Sequence, residues 1–154
     1  MKLINSFRFA LRGIVSGIKN ETNFRIHTVA ALSVIIFSFI YGVDAPRAAV
    51  LTLTICLVMV AELINTSVEA MVDIISPQKN KFAQIAKDSA AGAVLILAFG
   101  AVIIAVLTFS DVQGLLKVWL FIKNNVILTV IYILLCAFYI FYRKDTHKRK
   151  DNSK

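Results

Sequence analysis

A chain of 154 residues and 17.1 kDa is long enough for one domain, yet 58% of it is hydrophobic and only 17% is charged. Soluble domains carry about 45–50% apolar residues and about a quarter charged. A mean hydropathy of +0.77 therefore excludes disorder, a fibrous repeat and most globular enzymes, and places the chain in a lipid bilayer. The net charge of +8, from 17 basic against 9 acidic side chains, suits ends that lie on anionic cytoplasmic headgroups and does not call for nucleic acid.

Residues 2–20 space Leu3, Ile4, Phe7, Ala10, Leu11, Ile14 and Ile18 along one helical stripe, with Lys2, Arg8, Arg12 and Lys19 mostly off it. This predicts an amphipathic helix lying in the interface. The even spread of these cations does not resemble a cleavable signal peptide, so the N-terminus is expected to be retained. The uncharged run 26–43 has the length of one bilayer core and predicts a first span. Asp44-Ala45-Pro46 then supplies a capping acid and a proline just inside a new helix. That second span runs over 46–75 and stops before Ser76-Pro77, and a third is expected over 86–109. A further uncharged stretch, 124–142, gives an extra transmembrane helix within 111–142, followed by a basic tail, 143–154.

Fourteen of the 17 Lys and Arg residues fall before the first span, in the 76–88 loop, or in the tail, leaving Arg47, Lys117 and Lys123 for the other side. The positive-inside rule then makes both termini and the 76–88 loop cytoplasmic in a bacterial cell membrane. Tyr41 and Trp119 are expected at the outer interface, and Tyr139 and Tyr142 at the inner one.

The acids locate the chemistry. Asp44 and Asp111 fall in outer loops and Asp145 and Asp151 in the tail, which leaves Glu21, Glu62, Glu69, Asp73 and Asp88 at or just inside the cytoplasmic boundary. An ionisable group at membrane depth is a functional-site hypothesis by default. At about 100° per residue, Glu62, Asn65, Glu69 and Asp73 share one face of the second span, and at about 1.5 Å rise Glu62 lies roughly 16 Å deeper than Asp73. Aligned carboxylates require protons or a divalent metal to balance them. Mg²⁺ takes oxygen ligands and brings phosphates with it, and Lys79, Lys81 and Lys87 stand beside the same face, a combination suited to phosphoryl transfer from a nucleotide. No Walker A or G-x-G-x-x-G sequence is present. A small proton-coupled transporter is the rival reading, since it too would use an intramembrane Glu.

The run from Glu62 through Asn65 and Glu69 to Asp73, spaced E-x-x-N-(S/T)-x-x-E-x-x-x-D, followed by Ala86-Lys87-Asp88 and the small-residue patch Ser89 to Ala93, resembles the prokaryotic diacylglycerol kinase / undecaprenol kinase family. Gly13-Ile14 and the segment Asn20 to Arg25 also look like this family's N-terminal part. The resemblance covers roughly residues 5–110 and implies an all-α polytopic membrane protein: an interfacial helix and three spans per subunit, assembled as a homotrimer with sites at subunit contacts. It implies Glu62 as the general base on a lipid hydroxyl, Glu21 and Glu69 as ligands of Mg²⁺, and Asn65, Asp73, Lys87 and Asp88 as the residues that position ATP. The acceptor it implies is undecaprenol, because Asn20 to His27 looks more like Gram-positive members, with diacylglycerol as the alternative. The extra span departs from the family's three-span pattern.

Other features have plainer readings. Cys56 and Cys136 are expected as buried small hydrophobes, and His27 as an interface hydrogen-bonder. The Gly13/Gly17 pair lies outside a span, and close helix contact there is the less favoured reading. Arg25 is either a positive-inside anchor or a phosphate contact, and the tail a headgroup-binding run.

Overall fold

The computed structural model describes residues 2–76, 78 and 80–141. Pro77, Lys79, Tyr142 and the expected tail 143–154 lie outside the described residues. All regular structure among the described residues is helical, in six elements: α1 (Lys2–Asn20), α2 (Thr22–Tyr41), α3 (Ala45–Ile75), α4 (Lys81–Thr108), α5 (Val112–Asn124) and α6 (Val126–Phe141). This is the all-α, polytopic class that the hydropathy requires.

The amphipathic α1 leaves its apolar stripe outside the bundle, with Leu3, Ile4 and Phe7 largely exposed to the membrane interface. It touches the spans at its C-terminal end. There a Cβ on Gly17 would stand 3.2 Å from Leu63 Cδ2 and 3.3 Å from Phe24 Cγ, while Gly13 has open space around it. Close approach thus falls on one glycine of the pair. Glu21 follows in an extended conformation, and its side chain does not cap α2.

The α2–α3 turn follows its sequence signals. Gly42 closes α2 at φ 82°, a left-handed conformation that favours glycine, and its amide and that of Val43 both donate to the Ser38 carbonyl. Asp44 Oδ1 accepts from the Arg47 amide at 2.9 Å and starts α3. With 31 and 28 residues, α3 and α4 are about 46 and 42 Å long, well beyond the roughly 30 Å hydrocarbon core. They form the most extensive helix pair in the molecule, an antiparallel hairpin whose surplus turns project from the membrane. Among the described residues three single helices, α2, α3 and α4, are long and apolar enough to cross a bilayer.

Where one extra transmembrane helix was expected within 111–142, the described residues form two helices, α5 and α6, bent by 94°, which together are long and apolar enough for a fourth, broken span or a re-entrant loop. The bend sits at Asn125, whose amide donates to the carbonyls of Phe121 and Ile122 and whose Nδ2 donates to Phe121 at 2.9 Å, closing α5. Its physical reason is polarity: α5 carries Lys117 and Lys123, which belong at the surface, while α6 carries no formal charge. The Lys123 ammonium lies 5.1 Å from the Trp119 ring, an aromatic–cation pair of the kind found at a headgroup boundary. From the bend, α6 runs antiparallel to α2. Ser33 Oγ and Tyr132 Oη are 2.7 Å apart, and Arg25 Nη1 donates to the Ile140 carbonyl at 3.4 Å, so equal steps along the two helices keep them in register. The end of α6 therefore lies at the same end of the bundle as the start of α2.

At the opposite end Tyr41 is buried among Phe37, Phe109 and α5. Its hydroxyl accepts from the Asp111 amide at 2.8 Å and donates to the Asp111 carbonyl at 3.1 Å. A Cβ on Gly114 would overlap the Tyr41 ring, so glycine is what admits this packing. Both cysteines are free thiols, but Cys56 is exposed on the outside of the bundle and Cys136 only partly covered, which corrects the expectation of buried thiols. In a bilayer, lipid tails cover such positions as well as a protein core would.

Candidate active site

The depth gradient expected along α3 is present. Glu62 is 2% exposed and Asn65 5%, while Glu69 is half-buried and the Asp73 carboxylate is open to water. Helical pitch produces this directly, because positions 62, 65, 69 and 73 return to one face as the helix climbs out of the bundle. Thr66 turns its hydroxyl onto the Glu62 carbonyl at 3.0 Å, so it is held within the helix itself.

Glu62 has two acidic neighbours whose charges act on it, Glu69 on its own helix and Glu21 from the α1–α2 junction. The α1–α2 junction that carries Glu21 packs on the same end of α3 through the Gly17 contact and the fully buried Phe24. Asn65 Nδ2 donates to Glu69 Oε1 at 3.1 Å and fixes that carboxylate. The Asn65 Oδ1 is buried and has no protein donor. A buried acceptor left unmet is uncommon and expensive, and this one meets no donor among the described residues.

Asp73, Lys87 and Asp88 assemble one turn further out. They line a cleft of about 630 Å³ at the loop end of the α3–α4 hairpin, together with Asn80, Lys81 and Gln84. Lys87 Nζ donates to Asp73 Oδ1, which ties the two helices together. Asn80 Oδ1 accepts from the Phe82 amide at 2.9 Å and starts α4 at the cleft wall. Asn80 and Gln84 were not among the expected site residues. Their i, i+4 spacing with Asp88 was the available signal, since it puts all three on one face of α4.

The expected residues therefore form two connected groups: Glu21, Glu62, Asn65 and Glu69 inside the bundle, and Asp73, Lys87 and Asp88 in the cleft. Arg25 belongs to neither cavity wall. It is 3% exposed, and its guanidinium donates to Thr22 Oγ1 at 3.1 Å and to the carbonyls of Glu21 and Ile140 at 3.4 Å each.

Among the described residues no three His, Cys, Asp or Glu side chains are gathered closely enough to hold a metal by themselves. That composition still fits Mg²⁺, which commonly takes one or two carboxylates and completes its octahedron with water and substrate phosphates. Glu21 and Glu69 offer oxygens of the right kind, and the cleft one turn away offers Lys81 and Lys87 for the phosphate charge. The arrangement can take a proton from a group arriving in the membrane and hold a polyanion arriving from water.

Residues 8–109 match the family model described as prokaryotic diacylglycerol kinase. The chain is 46% identical over 103 residues to a diacylglycerol kinase of Synechocystis, covering 66% of this chain and 59% of that protein. It is 36% identical over 108 residues to an undecaprenol kinase of Bacillus subtilis, covering 70% and 88% of the two chains. A diacylglycerol kinase of Escherichia coli K12 is 32% identical over 108 residues, with 70% and 85% covered. The chain thus spans less than two thirds of the Synechocystis relative but most of the other two. All three names are those of lipid kinases, phosphotransferases whose acceptor is an alcohol. The matched region contains every candidate site residue and ends where α5 and α6 are still to come.

Proposed function

The chain belongs to the prokaryotic diacylglycerol kinase family, and from its site we propose that it is an ATP-dependent lipid kinase that phosphorylates the hydroxyl of a membrane lipid. One observation carries the reading: Glu62, a buried carboxylate at membrane depth, is the inner end of a polar face that opens, within three helical turns, on a cleft lined by lysines. A transporter needs the deep acid but has no use for the cleft.

In this reading the lipid hydroxyl reaches Glu62 from the bilayer, and the carboxylate takes its proton. The hydroxyl oxygen attacks the γ-phosphorus, the bond from that phosphorus to the β,γ-bridging oxygen breaks, and ADP leaves with the electron pair. Glu21 and Glu69 would hold Mg²⁺, which supplies neutralisation of the phosphate charge. Asn65 steadies Glu69 and offers its free Oδ1, while Asp73, Lys87 and Asp88 position the nucleotide. Placing the base deepest matches the order in which the reactants arrive, one from lipid and one from water.

The fourteen-to-three bias of Lys and Arg puts the cleft and both termini on the cytoplasmic side, where ATP is available. The return of α6 to the start of α2 supports the even number of crossings which that orientation needs. Assembly as a homotrimer, which the family resemblance implies, is part of the same proposal.

Undecaprenol is the proposed acceptor. The segment Asn20 to His27 and the similarity to the Bacillus subtilis undecaprenol kinase along 88% of that protein favour it. So does an apolar groove of about 280 Å³ between α2 and α3, walled by Val34, Phe39, Leu51 and Ile55, whose small volume suits one chain better than two. Diacylglycerol is the second reading, favoured by the higher identity to the Synechocystis protein. With both lipids at equal mole fraction in one bilayer, the proposal expects a higher kcat/KM for undecaprenol, the ratio that sets specificity. A higher value for diacylglycerol would reverse the assignment.

A further inference from the structure

The matched family core ends at residue 109, yet a side chain inside that core is bonded to a helix outside it. Arg25 is almost fully buried, and its planar fork reaches three acceptors at once: Thr22 Oγ1, the Glu21 carbonyl and the Ile140 carbonyl. Two of these belong to the α1–α2 junction and the third to the last described turn of α6. We propose that Arg25 is a positioning residue through which α6 fixes the α1–α2 junction, and with it the carboxylate of Glu21, against α3.

The junction needs such a hold. Most of α1 stands outside the bundle and meets the spans chiefly around Gly17. Glu21 is in extended backbone and its side chain makes no capping bond, so the local helix geometry does not fix where its carboxylate sits. A guanidinium at the membrane boundary is costly unless its donors are met, so it stays where its acceptors are. The position of α6 is in turn set two turns away by the Ser33–Tyr132 bond of 2.7 Å, while Tyr41 on Asp111 holds the start of α5, from whose end α6 bends away. Of these two bonds between the α6 strut and α2, the Arg25 one is the contact with the site. This inference rests on Glu21 being a metal ligand, as proposed above.

The test uses the full chain in vesicles, with Cys56→Ala and Cys136→Ala and a nitroxide on Asn20→Cys, next to the junction but outside the site. Two changes are compared in it, Arg25→Lys and the remote Tyr132→Phe, which removes one hydroxyl from the middle of the strut. Both should loosen the label and raise the Mg²⁺ needed for half-maximal turnover by about two- to tenfold, the range one lost hydrogen bond gives, with the lipid KM unchanged. Looser label with an unchanged Mg²⁺ requirement would uphold the strut and instead remove Glu21 from the metal site. An unmoved label in both variants overturns the proposal. So does a rise in the KM for ATP confined to Arg25→Lys with the label unmoved, which would make Arg25 a phosphate contact.

Discussion

Glu62, Glu69 and Asn65 lie within two turns of one helix, and burial separates their tasks. Glu62 is 2% exposed, which suits the base proposed to meet a lipid hydroxyl. Replacing it by Gln keeps the shape and removes the base, so turnover should fall by about 10²–10⁴ while Mg²⁺-nucleotide binding persists. Glu69→Gln should weaken binding of the Mg²⁺-nucleotide as well as turnover, because it removes a proposed metal ligand whose carboxylate Asn65 holds in place. Equal binding defects in the two variants, measured by nucleotide titration, would contradict this division. The i, i+3, i+4 arithmetic that exposed these residues in the sequence works because a helix in lipid has few other polar positions to confuse the pattern. Asn80 and Gln84 escaped it because polar residues near a loop are unremarkable until a cleft forms around them.

At the scale of helices, hydropathy and capping signals located α1 to α4 to within about five residues, since bilayer thickness and the Asp44-Ala45-Pro46 start leave little freedom. The break at Asn125 was not legible. A single asparagine in an apolar run is compatible with a straight helix, and where the polar α5 lies is shown only by its docking against Tyr41, a contact 70 residues away in sequence. Gly114 makes that docking possible. Gly114→Ala should therefore overpack the Tyr41 ring and cost about 1–3 kcal/mol, read as a lower thermal midpoint in detergent. An unchanged midpoint would mean that α5 can leave the bundle without loss. Gly13→Ala, in open space, should leave the midpoint unmoved.

For the whole molecule, one polar face runs from the buried Glu62 to the cleft at the loop end of the α3–α4 hairpin, and in the proposed function it would join the membrane to the nucleotide. The charge bias predicts its orientation: a cysteine on exposed Gln78, in a chain without Cys56 and Cys136, should resist a membrane-impermeant thiol reagent in intact cells and react once they are opened. The most direct measurement follows γ-phosphate label from ATP in vesicles that contain the purified chain, Mg²⁺ and a long-chain alcohol or diacylglycerol. Label should enter the lipid fraction with the native chain and be reduced by at least about 10² with Glu62→Gln. Unlabelled lipid with every acceptor, or equal label from the Glu62→Gln chain, would contradict the account.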